Sequence, residues 1–206
     1  MSQLCYFDYA ATTPVRGEVI AAMTAALEQF GNPSSRYPYG AQAAKRVKED
    51  RATVAQALGC APDEVFFTSC GTEGDNWAIR KGVEMNRRKG RHIVTTAVEH
   101  AAVLETCKDL EQQGYEVTYL KPDKTGHIAV DDLRAALRPD TILVSMMLVN
   151  NELGNLYPIA DIARGLAAKN PQTLLHTDAV QGFLKVPCSA RNLGADFITL
   201  SAHKIG

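Results

Sequence analysis

Short apolar runs alternate with amphipathic segments along the chain, and this alternation limits the fold more than any other feature. The runs are 65–68, 93–97, 116–120, 142–149, 173–176 and 197–200. Most are continuously apolar, the pattern of a strand covered on both faces. Between them lie segments with apolar residues at helical spacing: 73–88, 101–113, 130–137 and 159–168. Gly114 stands where a helix-closing glycine belongs. Two more helices, 15–30 and 41–58, precede the first run. Val19, Met23, Leu27 and Phe30 share one face of the earlier helix, and Gly59 closes the later one. Gly31-Asn32-Pro33-Ser34-Ser35 breaks the chain between the two. Strands separated by covering helices predict an α/β fold: an open, doubly wound, mostly parallel sheet.

Composition agrees and removes other classes. The 206 residues are 46% apolar and 22% charged, enough to bury a core and too apolar for disorder. A net charge of -1 supplies no field for nucleic acid or a membrane surface. No apolar run approaches the roughly 18 residues of a membrane span. The start, MSQLCYFDYAATTP, has no basic stretch before an apolar one, so no signal peptide is expected. The five cysteines are scattered, without a Cys-x-x-Cys pair, so neither a zinc site nor a disulfide framework is read. That cysteine usage points to the reducing cytoplasm. No repeat or linker divides the chain.

Open parallel sheets bind ligands at the carboxyl ends of their strands. Ser69-Cys70-Gly71-Thr72 follows the first run, Glu99-His100 the second, and Asn150-Asn151-Glu152 the fourth. Asp178 and Gln181 follow the fifth; Ser201, His203 and Lys204 follow the sixth. Five strand ends with chemically capable residues describe one site.

Each residue has a plain reading beside a chemical one. Ser69–Thr72 is either a seat for a phosphate at a helix start or an ordinary helix cap by Ser69 or Thr72. Lys204 is a pocket amine nucleophile or a surface lysine. Ser201 and His203 donate to a phosphate or to their own turn. Asp178 meets a protonated ring nitrogen or caps a helix near Ala179. Asn151 and Gln181 offer amides to a phenolate oxygen or to loop backbone. His100 stacks on an aromatic cofactor and moves protons, or opens a helix. His100 and His203 have no metal-ligand spacing, and no metal is expected. No dinucleotide or Gly-Lys-Ser/Thr phosphate loop is present. Together the chemical readings are what pyridoxal 5'-phosphate (PLP) requires of a protein.

The chain also resembles the NifS/IscS-type cysteine desulfurases of aminotransferase class V, from Tyr6-Phe7-Asp8-Tyr9-Ala10-Ala11-Thr12-Thr13-Pro14 to Gly206. The resemblance rests on Gly31-Asn32-Pro33-Ser34-Ser35, Thr72-Glu73-Gly74-Asp75-Asn76 and Glu99-His100-Ala101-Ala102-Val103-Leu104. It continues through Val149-Asn150-Asn151-Glu152, His176-Thr177-Asp178-Ala179-Val180-Gln181 and Ser201-Ala202-His203-Lys204. It implies the large domain of the aspartate aminotransferase-like fold. By it, Lys204 binds PLP covalently, His100 stacks as acid/base, and Asp178 pairs with the ring nitrogen. Gln181 and Asn151 contact the phenolate side, and Gly71, Thr72, Ser201 and His203 hold the phosphate.

The substrate so implied is L-cysteine, converted to L-alanine with sulfur left as an enzyme persulfide. A homodimer and a sulfur-acceptor protein such as an iron–sulfur scaffold are implied with it. Two positions depart from the common pattern: Cys70 replaces a usual glycine, which is expected to tighten the turn, and Tyr37 replaces a common histidine. Family members continue beyond the lysine with another central strand, a small domain, a carboxylate-binding arginine and a sulfur-accepting cysteine. Residues 1–206 are therefore expected to be a fragment, most of the PLP-binding large domain, inactive alone. None of the five cysteines matches the sulfur acceptor, and Cys107 reads as buried and inert. A selenocysteine lyase or aminotransferase of the same class, and a non-catalytic assembly fragment, are the competing readings.

Overall fold

A computed structural model describes residues 5–205; Met1–Leu4, within the start read for a leader, and Gly206 lie outside them. The chain divides into two compact units, one of Thr68–Ala202 and one of the residues up to Phe67 with those from His203 onward.

The larger unit holds the sheet. Its strands are β1 (His92–Thr96), β2 (Glu116–Leu120), β3 (Thr141–Ser145), β4 (Leu174–Asp178) and β5 (Phe197–Thr199). They pair in the order β2-β1-β3-β4-β5, every pair parallel. The helices are α3 (Gly71–Asn86), α4 (Ala101–Gln112), α5 (Val130–Ala136), α6 (Ile159–Lys169) and α7 (Ala190–Leu193). Alternate strand residues serve opposite faces. Ile93 and Leu143 pack with Ile79 and Val83 of α3 and Val103, Cys107 and Leu110 of α4. Val94, Val144 and Leu175 pack with Leu133 of α5 and Ile159, Ile162 and Leu166 of α6. Burying each such side chain contributes about 1.5–3 kcal/mol, so two apolar faces, each with its own helices, fix the doubly wound form.

Three sequence expectations change. The apolar run 65–68 lies in no helix or strand and does not join the sheet. An apolar run records a need for cover; a ladder needs a neighbouring strand as well. Strand 142–149 ends at Ser145, although Met146 and Leu148 N–H still donate to the His176 and Asp178 carbonyls at 3.1 and 2.8 Å. The strand expected at 173–176 instead runs on to Asp178, which puts that carboxylate on the sheet itself.

The smaller unit carries α1 (Gly17–Leu27) and α2 (Pro38–Leu58). Gly59 closes α2 at φ +70°, a left-handed turn that favours glycine. No residue of α1 is buried, and Leu27 is 84% exposed, so the apolar face read at Val19, Met23, Leu27 and Phe30 is left exposed. Helical spacing names a face in need of cover without naming what covers it. Phe30 stacks on Tyr39 at 5.1 Å, and Arg51 donates to the Val65 carbonyl and lies 4.9 Å over the Phe67 ring.

Candidate functional site

The strand order reverses between β1 and β3, and such a reversal opens a crevice at the strands' carboxyl ends. The loops leaving these two strands are stapled to each other. Glu99 Oε1 accepts from Thr96 Oγ1 at 2.7 Å and from Met147 N at 3.1 Å. Asn150 Nδ2 donates to the Val98 carbonyl at 3.0 Å, while its Oδ1 accepts from Glu152 and Leu153 N–H at 3.0 and 2.8 Å. Glu99 is 5% exposed, and burial pushes its carboxyl up to about 8, so it is protonated at neutral pH. His100, next in the chain, opens α4, and its Nδ1 accepts from Ala102 N at 3.1 Å. The plain reading of His100 as a helix-opening residue therefore holds. The same bond puts the proton of a neutral ring on Nε2, the nitrogen left for chemistry.

Asp178 ends β4 with 6% exposure, and its Oδ1 accepts from Val180 N at 2.9 Å. Burial, and after it the charge of Asp75, raises its carboxyl to about 6; His176 and His100 act the other way. Both readings of Asp178 survive: the carboxylate caps the turn after β4 and still sits where a cation would offset the cost of burying its charge. Gln181 and Asn151 are half-buried, and Gln181 Oε1 accepts from Lys185 Nζ at 3.5 Å.

At the start of α3 no side chain caps the helix, so the expected cap by Ser69 or Thr72 does not form. Glu73 Oε2 instead accepts from Ser69 N at 2.5 Å. Cys70 precedes the helix at φ -167°, extended backbone open to any residue, so the cysteine imposes no tightening of the turn. Its thiol is held below the ordinary value chiefly by the Glu73 N–H, with the Ser69 hydroxyl next. The N–H groups of a helix start favour an anion in general. A Cβ added to Gly71 would meet Val180 Cγ2 at 3.3 Å and Ser201 Cβ at 3.4 Å, so glycine keeps open the space beside Ser201.

His203 and Lys204 lie in a 3₁₀ turn, Ala202–Lys204, and belong to the smaller unit. There the His203 carbonyl accepts from Thr13 N at 3.0 Å and from Thr13 Oγ1 at 2.9 Å, and His203 Nδ1 lies 3.1 Å from Thr12 Oγ1. The early Ala11-Thr12-Thr13-Pro14 stretch thus holds the backbone one residue before Lys204, which is a physical reason for its presence. His100, Asn151, Asp178, Gln181, Gly71, Thr72 and Ser201 all belong to the larger unit.

The sequence pattern marks Glu99 at a strand end without giving it a role and passes over Asp75 and His176, although all three stand in quoted motifs. The available signal was polarity within otherwise apolar strand or helix-face positions. Cys107 is buried and its thiol is pushed up to about 12, which matches its inert reading. A concavity of about 480 Å³ between α5 and α6 is lined by the exposed ion pairs Arg134–Asp131 and Arg164–Asp161 and holds none of these groups. Among the described residues no cluster of metal-ligating side chains occurs, and no helix is long and apolar enough to cross a membrane.

The sequence pattern of the class-V aminotransferases matches residues 5–206. The chain belongs to the aminotransferase class-V family. Within it, this class-V chain is 50% identical over 200 residues to cysteine desulfurase IscS of Methanosarcina thermophila, covering 97% of this chain and 49% of that protein. It is 46% identical over 205 residues to cysteine desulfurase IscS of Dictyoglomus turgidum, covering 99% and 52%. Among solved structures, a NifS-like protein superposes with a TM-score of 0.93 at 42% identity, covering 97% of this chain and 55% of that one. SspA in complex with cysteine gives 0.90 at 38%, covering 97% and 57%. The chain thus spans about half the length of the curated relatives it matches.

Proposed function

We propose that these residues are the N-terminal segment and most of the large domain of a PLP-dependent cysteine desulfurase, with the small domain in the other half of the relatives' length. The reading takes L-cysteine as substrate, L-alanine as product and an enzyme-bound persulfide as the carrier of sulfur. A homodimer, an iron–sulfur scaffold as sulfur acceptor and a cytoplasmic setting complete the reading. The observation that carries it is one sheet end bearing both an uncapped helix start with its glycine-kept space and a buried carboxylate short of positive charge.

The donor set fits PLP. The N–H groups at Gly71 and Thr72, with Ser201 and His203, would hold the phosphate, and Asp178 would face the protonated ring nitrogen. His100 would lie against the ring, with Gln181 and Asn151 toward the phenolate oxygen and Lys204 as the covalent anchor. When bound, PLP supplies the electron sink for breaking bonds at the substrate's α-carbon. The chain's own part is electrostatic and positional. Asp178 would favour a proton on the ring nitrogen, because a buried anion is stabilised most by a cation against it. His100, with Nδ1 engaged by Ala102, presents Nε2 as the atom that takes and returns a proton. The Glu99 and Asn150 staples fasten the loop that carries His100 to the loop after β3.

The test is PLP titration of the 206-residue chain, borohydride reduction and peptide mapping. The pyridoxyl group should map to Lys204. Labelling at Lys121 or Lys185 instead, or no visible absorption band, would refute the reading. In the complete enzyme, release of alanine from cysteine against selenocysteine separates desulfurase from selenocysteine lyase.

A further inference from the structure

β4 places His176 and Asp178 two residues apart, on one face of the sheet. His176 is fully buried. Its Nδ1 lies 2.8 Å from Ser145 Oγ, and its Nε2 lies 3.0 Å from Thr199 Oγ1 and 3.5 Å from Asp75 Oδ1. Asp75, on α3, is 2% exposed, and its Oδ1 has no hydrogen-bond partner. A buried carboxylate oxygen left in this way is costly unless a cation faces it, and the imidazole is the group that does. Both hydroxyls beside the ring can accept, so an imidazolium is accommodated at each nitrogen: Nδ1–H donates to Ser145 Oγ and Nε2–H to Thr199 Oγ1, with the charge against Asp75.

We propose that Asp75 and His176 form a buried ion pair, a positioning pair that holds the charge and aim of the Asp178 carboxylate toward the cofactor's ring nitrogen. The groups within electrostatic reach of Asp178 are Asp75 from α3, His176 from its own strand, His100 from the start of α4 and Glu99 from the loop after β1. Glu99 is protonated at neutral pH and adds no charge. Asp75 alone would repel a second anion so close by. Paired with His176 it is neutral as a unit, and Asp178 is left as the free negative charge at the end of β4. The bonds to Ser145 on β3 and Thr199 on β5 hold the imidazole from both neighbouring strands, which fixes where that compensation sits.

The inference rests on reading Asp178 as the ring-nitrogen partner, and its test is run without cofactor. In the 206-residue chain with ¹⁵N-labelled histidine, NMR at neutral pH should find both ring nitrogens of His176 protonated. Asp75→Asn should return the ring to its neutral form. His176→Gln should raise the titration midpoint of the Asp178 carboxyl, followed by ¹³C NMR, by about one pH unit or more. A neutral His176 ring in the unsubstituted chain, or an Asp178 midpoint unmoved in a folded His176→Gln variant, overturns the proposal. Should His176→Gln fail to fold, the ring state of the unsubstituted chain still decides. A structural histidine that only fills its two hydroxyl contacts would stay neutral in both chains. Failure to bind PLP in a separate titration would refute the cofactor reading and leave the ion pair standing.

Discussion

Replacing Glu99 with Gln should remove a specific pH dependence from the stability of the larger unit. Glu99 is 5% exposed, and its carboxyl is held at about 8 against an ordinary value of 4.5. The folded chain therefore keeps a proton that the unfolded chain releases once pH passes the ordinary value. Between the two values the folded state binds one proton more, so stability falls as pH rises, by about 1.4 kcal/mol per pH unit, and levels off above the folded value. From pH 5 to pH 8 this amounts to about 4 kcal/mol, a large part of the roughly 5–15 kcal/mol that holds a domain together. Gln keeps a carbonyl oxygen for Thr96 Oγ1 and Met147 N and carries no proton to lose. Its amide nitrogen inherits the place of Oε2, which is buried without a hydrogen-bond partner. That inheritance costs about 1–3 kcal/mol and does so equally at every pH. The slope and not the offset is therefore the readout. Trp77, on α3 of the same unit and the chain's one tryptophan, gives the fluorescence signal for urea unfolding across this pH range. The stability of Glu99→Gln relative to the unsubstituted chain should climb by about 4 kcal/mol from pH 5 to pH 8. Parallel curves would mean that Glu99 is ionised in the folded chain and that the staple to Met147 is an ordinary charged one.

Three further outcomes are expected. Asp178→Ala should weaken PLP binding by about tenfold or more while the circular dichroism spectrum stays unchanged; unaltered affinity would make Asp178 only the cap of the Val180 turn. Gly82→Ala should cost up to about 2 kcal/mol in urea unfolding, because about 1–3 kcal/mol of crowding where its Cβ would meet Leu143 Cδ1 at 3.1 Å outweighs the roughly 1 kcal/mol that alanine gains over glycine within α3; a raised midpoint would show slack there. In timed alkylation followed by mass spectrometry, exposed Cys70 should react faster than Cys60 and Cys188, whose thiols burial raises, and Cys107 only after unfolding; early labelling of Cys107 would contradict its burial.

The sheet was legible because both of its faces are apolar. Ile93 and Val94, or Leu143 and Val144, are adjacent in sequence and buried on opposite sides, which yields the continuous runs of a doubly covered strand. The run 65–68 carries the same signal and is not a strand, since pairing depends on a neighbour that one segment's pattern does not contain. The apolar face of α1 at Val19, Met23 and Leu27 is limited in a similar way: its spacing gives the helix, and the structure leaves the three residues exposed. The polar residues after β1, β3, β4 and β5 were readable from their places at strand ends, whereas Ser69–Thr72 follow a segment that is not a strand. The charge relations among them were not. Asp75 is 101 residues from His176, and Glu99 is 48 from Met147, so the pairings exist only once α3 and the β1 and β3 loops are laid on the sheet.

The charges at the crevice follow an order that burial alone would not produce. Glu99, Asp75 and Asp178 share one neighbourhood, and three buried anions there would repel one another and forgo their hydration. Each is handled differently. Glu99 keeps its proton and serves as a neutral brace between two loops. Asp75 is placed against an imidazole held by hydroxyls of two flanking strands. Asp178 has a backbone N–H on one oxygen, and burial leaves its charge incompletely compensated. An anion in that state gains most from a cationic ligand, and the gain is greatest when the other two carboxyls are already neutralised, because their repulsion would otherwise raise the cost of ionising it. The protonated Glu99 and the Asp75–His176 pair are on this account conditions for the ring-nitrogen contact. Their loss should therefore be felt in cofactor affinity before it is felt in the packing of the sheet.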